Sequence, residues 1–293
     1  MFYRELVVCA LLAFAATCAA RNSNYNLVRK FEDKDSQVPH RPDLESRFNE
    51  QENVLFPSPA TEPVNQRFPS AVLFGRTCGG TILSDKWVLS AGHCTLFTGG
   101  REVLAGTNNT ENGTGVRRRV KKLYLHPLFT VGPYWLDSKR FNITQVAAHW
   151  DFLLAELEEP LPLDDKTIKP VKLDAFEVKA GIPVGYAGFG AEHHGETMRH
   201  EMHGMEMTTL SDAECSSLTQ FDPRDMLCAR GILPRLDSAC NGDSGSGLVD
   251  NNNSLIGVAS WVEEDATRCF NGAKVVFGRV AAARAWIREV TGL

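Results

Sequence analysis

The sequence predicts an all-β protein that ends in an α-helix, on three observations. Short runs rich in valine, leucine and isoleucine are separated by turns of glycine, asparagine and proline. No internal repeat is visible at a fixed period. The segment from Ala281 to Val290 has the apolar spacing of an amphipathic helix that packs through Trp286 and Ile287. The clearest predicted strands are residues 71–74, 81–90, 152–157, 247–249 and 255–260.

Residues 1–20 have the features of a signal peptide. An apolar core from Leu6 to Ala16 follows a single early arginine, and the small residues Cys18 and Ala20 stand where a signal peptidase would cut. The segment is too short and too early for a membrane-spanning helix, and no later run reaches about 18 apolar residues. We therefore expect a secreted, extracellular protein that does not span a membrane.

Residues 21–53 are predicted to be a propeptide. They are polar and charged, nearly free of aliphatic side chains, and contain Pro39 and Pro42, so they cannot bury much surface. The remaining residues, 54–293, are enough for one two-lobed domain or two small ones. The formal net charge of −5 favours no class of partner, and no feature suggests a nucleic-acid partner.

Three distant segments carry the side chains of a nucleophilic hydrolase. An apolar run from Cys78 to Cys94 ends on His93, and a second apolar segment begins with Asp151. Ser244 stands in the sequence Asn-Gly-Asp-Ser-Gly. A serine hydroxyl needs a neighbouring imidazole as base, and the imidazole needs an acid to fix its tautomer. The chain supplies one candidate for each role.

The glycines beside Ser244 predict a site for a negatively charged oxygen. Gly242 and Gly245 allow backbone angles that are closed to other residues, so that N–H groups can turn toward one point and hold a tetrahedral oxyanion. The chain order His, Asp, Ser differs from the order Ser, acid, His of α/β-hydrolases, which disfavours an esterase of that fold.

On these segments the chain resembles the trypsin/chymotrypsin family of serine proteases, from about Val54 to Leu293. The resemblance implies two antiparallel six-stranded β-barrels, at about residues 54–175 and 176–293, followed by the C-terminal helix. The active site would lie between the barrels, with His93 and Asp151 on the first barrel and Ser244 on the second.

The resemblance also implies a role for each site residue. His93 would be the general base, Asp151 the acid that orients it and Ser244 the nucleophile. The backbone N–H groups of Gly242 and Ser244 would form the oxyanion hole. Ser260, in the sequence Ala-Ser-Trp, matches a serine that contacts the buried aspartate and lines the substrate-binding strand.

Six of the eight cysteines remain after removal of the signal peptide, which fits an oxidising compartment. The resemblance implies the disulfide pairs Cys78–Cys94, Cys215–Cys228 and Cys240–Cys269. A zinc site is disfavoured because the cysteines are widely scattered and form no Cys-x-x-Cys pair. We expect neither a metal nor another cofactor.

The specificity pocket is assigned through the resemblance. Ser238 would stand at the pocket base, where trypsin-like members carry an aspartate, and Trp261 would lie on the substrate-binding strand. Val262 and Val275 replace two glycines of open pockets and would narrow the slot, as in elastase-like members. We therefore rank small or medium apolar side chains first, large apolar ones second and basic ones third. A one-residue slip would instead put Asp237 at the base.

Activation departs from the pattern of the family, in which a cut frees an N-terminus whose ammonium pairs with the aspartate before the nucleophile, here Asp243. The usual basic residue followed by Ile-Val-Gly-Gly is missing. The matching position is Val54, but Phe56 and Pro57 replace two flexible glycines, and a cut after Asn53 requires an unusual processing enzyme. Both Val54 and another mature N-terminus remain open.

Other features have simpler interpretations. Four Asn-x-Ser/Thr sequons, which are candidate sites of N-glycosylation, begin at Asn108, Asn112, Asn142 and Asn252. The histidines at 193, 194, 200 and 203 invite a metal hypothesis, but an exposed variable loop is favoured. The basic run from Arg117 to Lys122 is interpreted as a solvated edge strand rather than a polyanion site.

Two functions from different classes follow from the sequence. The first is a secreted serine endopeptidase, a monomer whose partners are protein or peptide substrates, an activating protease and a protein inhibitor. The second is a protease-like regulatory or binding protein without turnover. The unusual activation segment and the pair Ser246-Gly247, where the family more often has Gly-Pro, motivate the second function. The complete set of three catalytic residue types favours the first.

Overall fold

Two closed, six-stranded antiparallel β-barrels make up the described part of the protein, as the resemblance implied. The computed structural model describes residues 62–96, 101–131, 147–174, 177–193, 196–263, 269 and 272–293. Among these residues, no helix has the length and apolar character needed to cross a lipid bilayer.

The first barrel has the strand order β1-β2-β3-β8-β5-β4. Its strands are β1 (Ala71–Phe74), β2 (Cys78–Ile82), β3 (Trp87–Ser90), β4 (Glu102–Ala105), β5 (Val116–Leu125) and β8 (Leu153–Leu157). Outside the barrel, β6 (Thr130–Val131) pairs with β7 (Ala148–His149). Alternate residues of each barrel strand point inward, so the apolar side chains that defined the strands in the sequence fill the barrel core.

The predicted single strand over residues 81–90 is wrong, because the chain turns back between Ile82 and Trp87. A two-residue polar step, Ser84-Asp85, makes the turn, and Ser84 Oγ accepts a hydrogen bond from the Lys86 N–H. The result is the β2–β3 hairpin, in which Thr81 faces Leu89. The hairpin directs the end of β3 toward His93.

The second barrel has the strand order β10-β11-β14-β13-β12-β9. Its strands are β9 (Pro183–Gly188), β10 (His203–Thr209), β11 (Met226–Gly231), β12 (Gly247–Asp250), β13 (Leu255–Val262) and β14 (Lys274–Arg279). The pairing of β13 with β14 is irregular between Ala259 and Trp261. This irregularity lies beside Ser260, at the side of the barrel that contributes to the site.

The helices are short except for the last. They are α1 (Val64–Arg67), a 3₁₀ turn (Gly92–Leu96), α2 (Asp212–Cys215) and α3 (Val280–Thr291). Ser211 and Glu214 cap α2 reciprocally. Helix α3 ends at Gly292, whose φ of 77° is the left-handed conformation that favours glycine. Ile287 of α3 is buried with the first-barrel core, while Trp286 is only partly buried and contacts the ring of His126.

The basic run on β5 does not form a sheet edge, because β5 pairs with β4 on one side and β8 on the other. Barrel closure removes the edge that the sequence interpretation assumed. Several of its cations have partners: Arg117 binds Glu102 at 2.5 Å and Lys121 binds Glu156 at 2.6 Å. The exposed residues of the basic run lie on the outer, solvated face of the first barrel.

The three disulfides are those that the resemblance implied: Cys78–Cys94, Cys215–Cys228 and Cys240–Cys269. The first joins the start of β2 to the 3₁₀ turn that carries His93. The third fastens the segment before Ser244 to residue 269. Two of the crosslinks therefore hold the loops that carry candidate catalytic residues.

Candidate active site

His93 and Asp151 form a buried hydrogen-bonded pair at the end of the first barrel. His93 Nδ1 lies 2.6 Å from Asp151 Oδ2, and the backbone N–H of His93 donates to Oδ1 at 2.8 Å. These two contacts fix both the position and the orientation of the imidazole. Because the carboxylate can only accept, the shared proton sits on Nδ1, and Nε2 carries the lone pair of a base.

Ser260 completes the surroundings of the Asp151 carboxylate. Its hydroxyl donates to Asp151 Oδ2 at 2.5 Å, from strand β13 of the second barrel. Burial alone would raise the pKa of Asp151, but the charge of His93 and the hydrogen bonds from His93 and Ser260 hold it below its ordinary value. Asp151 is therefore kept ionised, as an acid that stabilises an imidazolium must be.

Ser244 lies beside the loop that carries His93. The backbone carbonyl of Ser244 accepts a hydrogen bond from the Gly79 N–H at 2.7 Å and lies 3.8 Å from Sγ of Cys94, the neighbour of His93. The following residue, Gly245, donates its N–H to Ala259 O at 2.8 Å. These contacts set Ser244 between the start of β2 and the strand that carries Ser260, next to the residue that follows His93.

Residues 240–244, which we call the oxyanion turn, form a tight hydrogen-bonded loop. The Asp243 N–H donates to Cys240 O at 3.0 Å, and the Ala191 N–H donates to Asn241 O at 2.8 Å. Gly242 has a φ of 104°, which a residue with a side chain adopts only with strain. The sequence prediction that glycine permits an unusual turn here thus has a specific geometric basis.

Asp243 is a buried carboxylate held by backbone groups. Oδ1 accepts from the Gly190 N–H at 3.1 Å and Oδ2 from the Cys240 N–H at 3.0 Å. Burial raises the pKa of Asp243 to about 7, although both hydrogen bonds and the charge of Arg199 act to lower it. The site would hold a cation strongly, because a buried anion without a close opposite charge is costly.

The interpretation of the four histidines as residues of an exposed loop is wrong for His203. This residue begins strand β10 instead of lying in an exposed loop, and its Nε2 is 3.9 Å from Asp243 Oδ1. Burial, with the charges of Arg199 and Arg235, lowers the pKa of His203 to about 4. His203 is therefore a neutral neighbour of Asp243 at ordinary pH. His193 and His200 lie in the preceding loop, where His200 Nδ1 is 3.3 Å from Glu111 Oε1.

The sequence analysis missed the two glycines that make room for Asp243. A Cβ atom at Gly188 or Gly190 would collide with the Asp243 carboxylate. The Gly-Phe-Gly sequence at 188–190 was the available signal, since paired glycines often mark a close approach of backbone to another group. These residues belong to the same structural unit as the oxyanion turn.

Of the two candidates for the pocket base, Asp237 is paired with other groups of the protein. Its Oδ2 accepts from the Glu206 N–H at 3.0 Å and lies 3.0 Å from Arg235 Nη2. Ser238 Oγ is buried and has no hydrogen-bond partner among the described residues. These contacts favour the alignment with serine at the base over the one-residue slip.

Val262 and Val275 face each other across β13 and β14. Val275 is buried, and Val262 packs against the same hydrophobic cluster, which also contains Ala239. Trp261 belongs to a different cluster, with Met226 and Val276, and is 9% exposed. The two valines therefore share one apolar region, whereas Trp261 packs on the other side of the strand.

The remaining predicted site residues are surface positions or lie outside the described part of the chain. Asn108, Asn112 and Asn252 are exposed, as glycosylation requires. Asn142, Val54 and His194 fall outside the described residues, as do residues 1–20 and 21–53. The chain contains a Cys78, His93 and Cys94 grouping with metal-ligand spacing, but both of these cysteines are in the disulfide and are not free ligands.

Comparison with known proteins places this geometry in one family. The trypsin family profile matches residues 60–287. The chain is 55% identical to Scolexin B of Heliothis virescens over 294 residues, covering 100% of both chains. It is 30% identical to Trypsin 5G1 of Aedes aegypti over 243 residues, 81% of this chain and 84% of that protein. With Trypsin zeta of Drosophila erecta the identity is 29% over 228 residues, 74% of each chain. The chain therefore belongs to the trypsin family.

Proposed function

We propose that this protein is a secreted serine endopeptidase that forms an acyl-enzyme on Ser244. The observation that carries the proposal is the buried His93–Asp151 pair, which is oriented by two hydrogen bonds. Cys94, the neighbour of His93, contacts the Ser244 backbone carbonyl. A structural histidine would not require an ionised carboxylate held on its Nδ1 side. Family membership supports the same class of reaction.

In the proposed reaction, Ser244 Oγ attacks the carbonyl carbon of a peptide bond, and its proton passes to His93 Nε2. The N–H groups of Gly242 and Ser244 donate to the oxyanion of the tetrahedral intermediate. His93 then gives the proton to the leaving amine as the C–N bond breaks. A water molecule, deprotonated by His93, attacks the acyl-enzyme and releases the acid product and Ser244.

The pocket favours small or medium apolar side chains before the cleaved bond. Val262 and Val275 narrow an apolar region, and a serine, which carries no charge, stands at the assigned base. Asp237 is engaged by Arg235 and the Glu206 backbone, which weakens the case for basic substrates.

Secretion and activation form part of the same proposal. Residues 1–20 would be removed as a signal peptide, and a processing protease would remove residues 21–53. The new ammonium of Val54 would then pair with Asp243. The support is the burial of the Asp243 carboxylate, whose hydrogen-bond donors among the described residues are backbone N–H groups, together with the exposed sequons of a glycoprotein. N-terminal sequencing of the mature protein tests the position of the cut.

The decisive experiment combines labelling with turnover. The natively processed protein is treated with a sulfonyl fluoride, and the labelled residue is identified by mass spectrometry. A fluorogenic peptide library measures turnover before and after treatment. We expect one label, on Ser244, and a loss of turnover in proportion to labelling. Ser244→Ala should fold normally, as judged by circular dichroism, and should show neither labelling nor turnover.

The alternative of a regulatory or binding protein predicts a different result. Such a protein would keep its fold and its processed N-terminus but hydrolyse no peptide of the library. Absence of both turnover and Ser244 labelling in the natively processed protein would overturn the endopeptidase proposal. Cleavage mainly after arginine or lysine would leave the enzyme class intact and overturn the pocket assignment.

A further inference from the structure

Met198 packs against Gly242, the residue at the centre of the oxyanion turn. A Cβ atom added to Gly242 would lie 2.8 Å from Met198 Cγ, 2.9 Å from Cε and 3.0 Å from Sδ. Three atoms of one side chain therefore fill the space on one side of this glycine. Tight van der Waals contact of this kind limits the movement of a backbone that has no side chain of its own.

The segment that carries Met198 is itself held firmly. In residues 198–203, which we call the strap, the Arg199 N–H donates to Phe189 O at 2.9 Å. The Met202 N–H donates to Asn108 O at 2.7 Å, and the Met202 side chain is buried in the first-barrel cluster. The strap is therefore hydrogen-bonded both to the loop after β9 and to the loop after β4, and these contacts restrain Met198.

A second contact joins the strap to the loop after β4. The Thr110 N–H donates to His200 O at 2.9 Å, and the His200 ring lies 3.3 Å from the Glu111 carboxylate. The loop after β4 of the first barrel thus positions a segment that leads into β10 of the second barrel. The same segment reaches the oxyanion turn through Met198.

We propose that Met198 is a positioning residue that holds the Gly242 N–H in the direction needed to stabilise the oxyanion. The inference rests on the proposed endopeptidase function, but its structural part, the restraint of the turn, does not require turnover. The carbonyl of the same peptide accepts a hydrogen bond from the Ala191 N–H, because Asn241 O and the Gly242 N–H belong to one planar peptide group. Without Met198, this single hydrogen bond alone opposes rotation of the peptide, so the Gly242 N–H turns away more readily.

A misdirected oxyanion donor affects the transition state more than the bound substrate. Complete removal of a donor in such sites lowers kcat about 10²–10³-fold. Met198→Ala leaves the donor present but loosely held, so we expect kcat to fall about tenfold while KM changes less than about twofold. Met198→Leu keeps a side chain of similar volume and should retain most of the activity.

The test measures both parts of the inference. Steady-state kinetics are recorded for the natively processed wild type, Met198→Ala and Met198→Leu. Leu123→Ala is the matched control, because Leu123 is also partly buried against the first-barrel cluster but lies in β5. Amide hydrogen exchange of the peptide covering residues 239–246 is measured for the same four proteins in a Ser244→Ala background, which prevents self-digestion.

We expect faster exchange in this peptide and a lower kcat for Met198→Ala alone. Unchanged exchange and unchanged kcat in Met198→Ala would overturn the inference and leave the proposed function in place. An equal loss in Leu123→Ala would also overturn it, because general destabilisation would then explain the effect. Absence of turnover in the wild type would overturn the proposed function, and the exchange comparison would still decide whether Met198 restrains the turn.

Discussion

Asp151 connects the two barrels at the level of single atoms. Its carboxylate accepts hydrogen bonds from His93, on the first barrel, and from Ser260, on the second. The ionised state of the carboxylate determines which nitrogen of His93 carries the proton. The site therefore depends on one buried charge whose low pKa is maintained by its partners.

Asp151→Asn tests this dependence. The asparagine amide can donate to Nδ1 and so stabilise the tautomer with the proton on Nε2, which cannot accept the proton of Ser244. We expect kcat to fall by about four orders of magnitude while the fold is retained. Peptide hydrolysis by the purified variant is the measurement. A loss smaller than about tenfold would show that Asp151 does not set the tautomer.

The valine pair of the pocket tests specificity at the same scale. Val262→Gly together with Val275→Gly removes both branched side chains from the assigned pocket walls. We expect the preferred residue before the cleaved bond to change from small apolar to phenylalanine or tyrosine, with at least a tenfold change in the ratio of kcat/KM values (about 1.4 kcal/mol). A library cleavage profile measures it, and Val72→Ala, on β1 of the first barrel, is the control. An unchanged profile would place the pocket elsewhere.

Loops, rather than strands, carry the catalytic candidates, and the disulfides hold those loops. The Cys78–Cys94 bond closes a separation of 16 residues next to His93, whereas the Cys215–Cys228 bond closes 13 residues near α2. The two loops are similar in length, so the chain-entropy contributions of their crosslinks should be similar, at about 3 kcal/mol each. The two disulfides differ in their neighbours, since only Cys78–Cys94 lies next to a candidate catalytic residue.

Removing each bond separately should therefore separate stability from activity. Replacing both cysteines of either pair by alanine is expected to lower the free energy of unfolding by about 3 kcal/mol. Only the Cys78/Cys94 variant should also lose activity at temperatures where both variants are folded. Urea unfolding and peptide hydrolysis are measured on the same samples. Equal activity in the two variants would show that the first disulfide does not position His93.

At the scale of the whole molecule, local features could be predicted from the sequence better than contacts between distant segments. The glycines around Ser244 and the apolar run after Asp151 are local features, and the sequence predicted the turn and the strand there. The run before His93 is also extended, but as two strands of a hairpin instead of the single predicted strand. Strand β10 was not predicted because the segment with His200 and His203 was interpreted as a polar loop. Its alternating buried residues, Met205 and Met207, were the available strand signal.

The contacts that the sequence could not predict are those between segments far apart in the chain. Met198 against Gly242 and Gly190 against Asp243 leave no periodic pattern, because each involves one residue from each of two loops. The closure of β5 between β4 and β8 is also a property of the whole barrel. A basic run looks the same in sequence on an edge strand and on the outer face of a closed sheet.

The buried charge of Asp243 should make the stability of the uncut chain depend on pH. The pKa of Asp243 is raised from 3.8 in the unfolded chain to about 7 in the folded one, because the carboxylate is buried. The folded chain therefore binds a proton more tightly than the unfolded chain does. This contribution to stability is complete below about pH 4, and it is lost as the pH rises through 7.

Asp243→Asn removes the titration while keeping an oxygen for the backbone donors. In the uncut Ser244→Ala protein, we expect the wild-type carboxylate and the asparagine to give similar stability near pH 4. Above pH 7 the asparagine form should be more stable by a few kcal/mol, up to about 4, because three pKa units correspond to that free energy. Urea unfolding at pH 4, 5, 6, 7 and 8 measures the difference.

After native processing the order of stability should reverse at pH 8, since the ammonium of Val54 would then pair with the carboxylate but not with the amide. A constant difference across the pH range in the uncut protein would show that Asp243 stays ionised without the new N-terminus, and that another group already balances its charge.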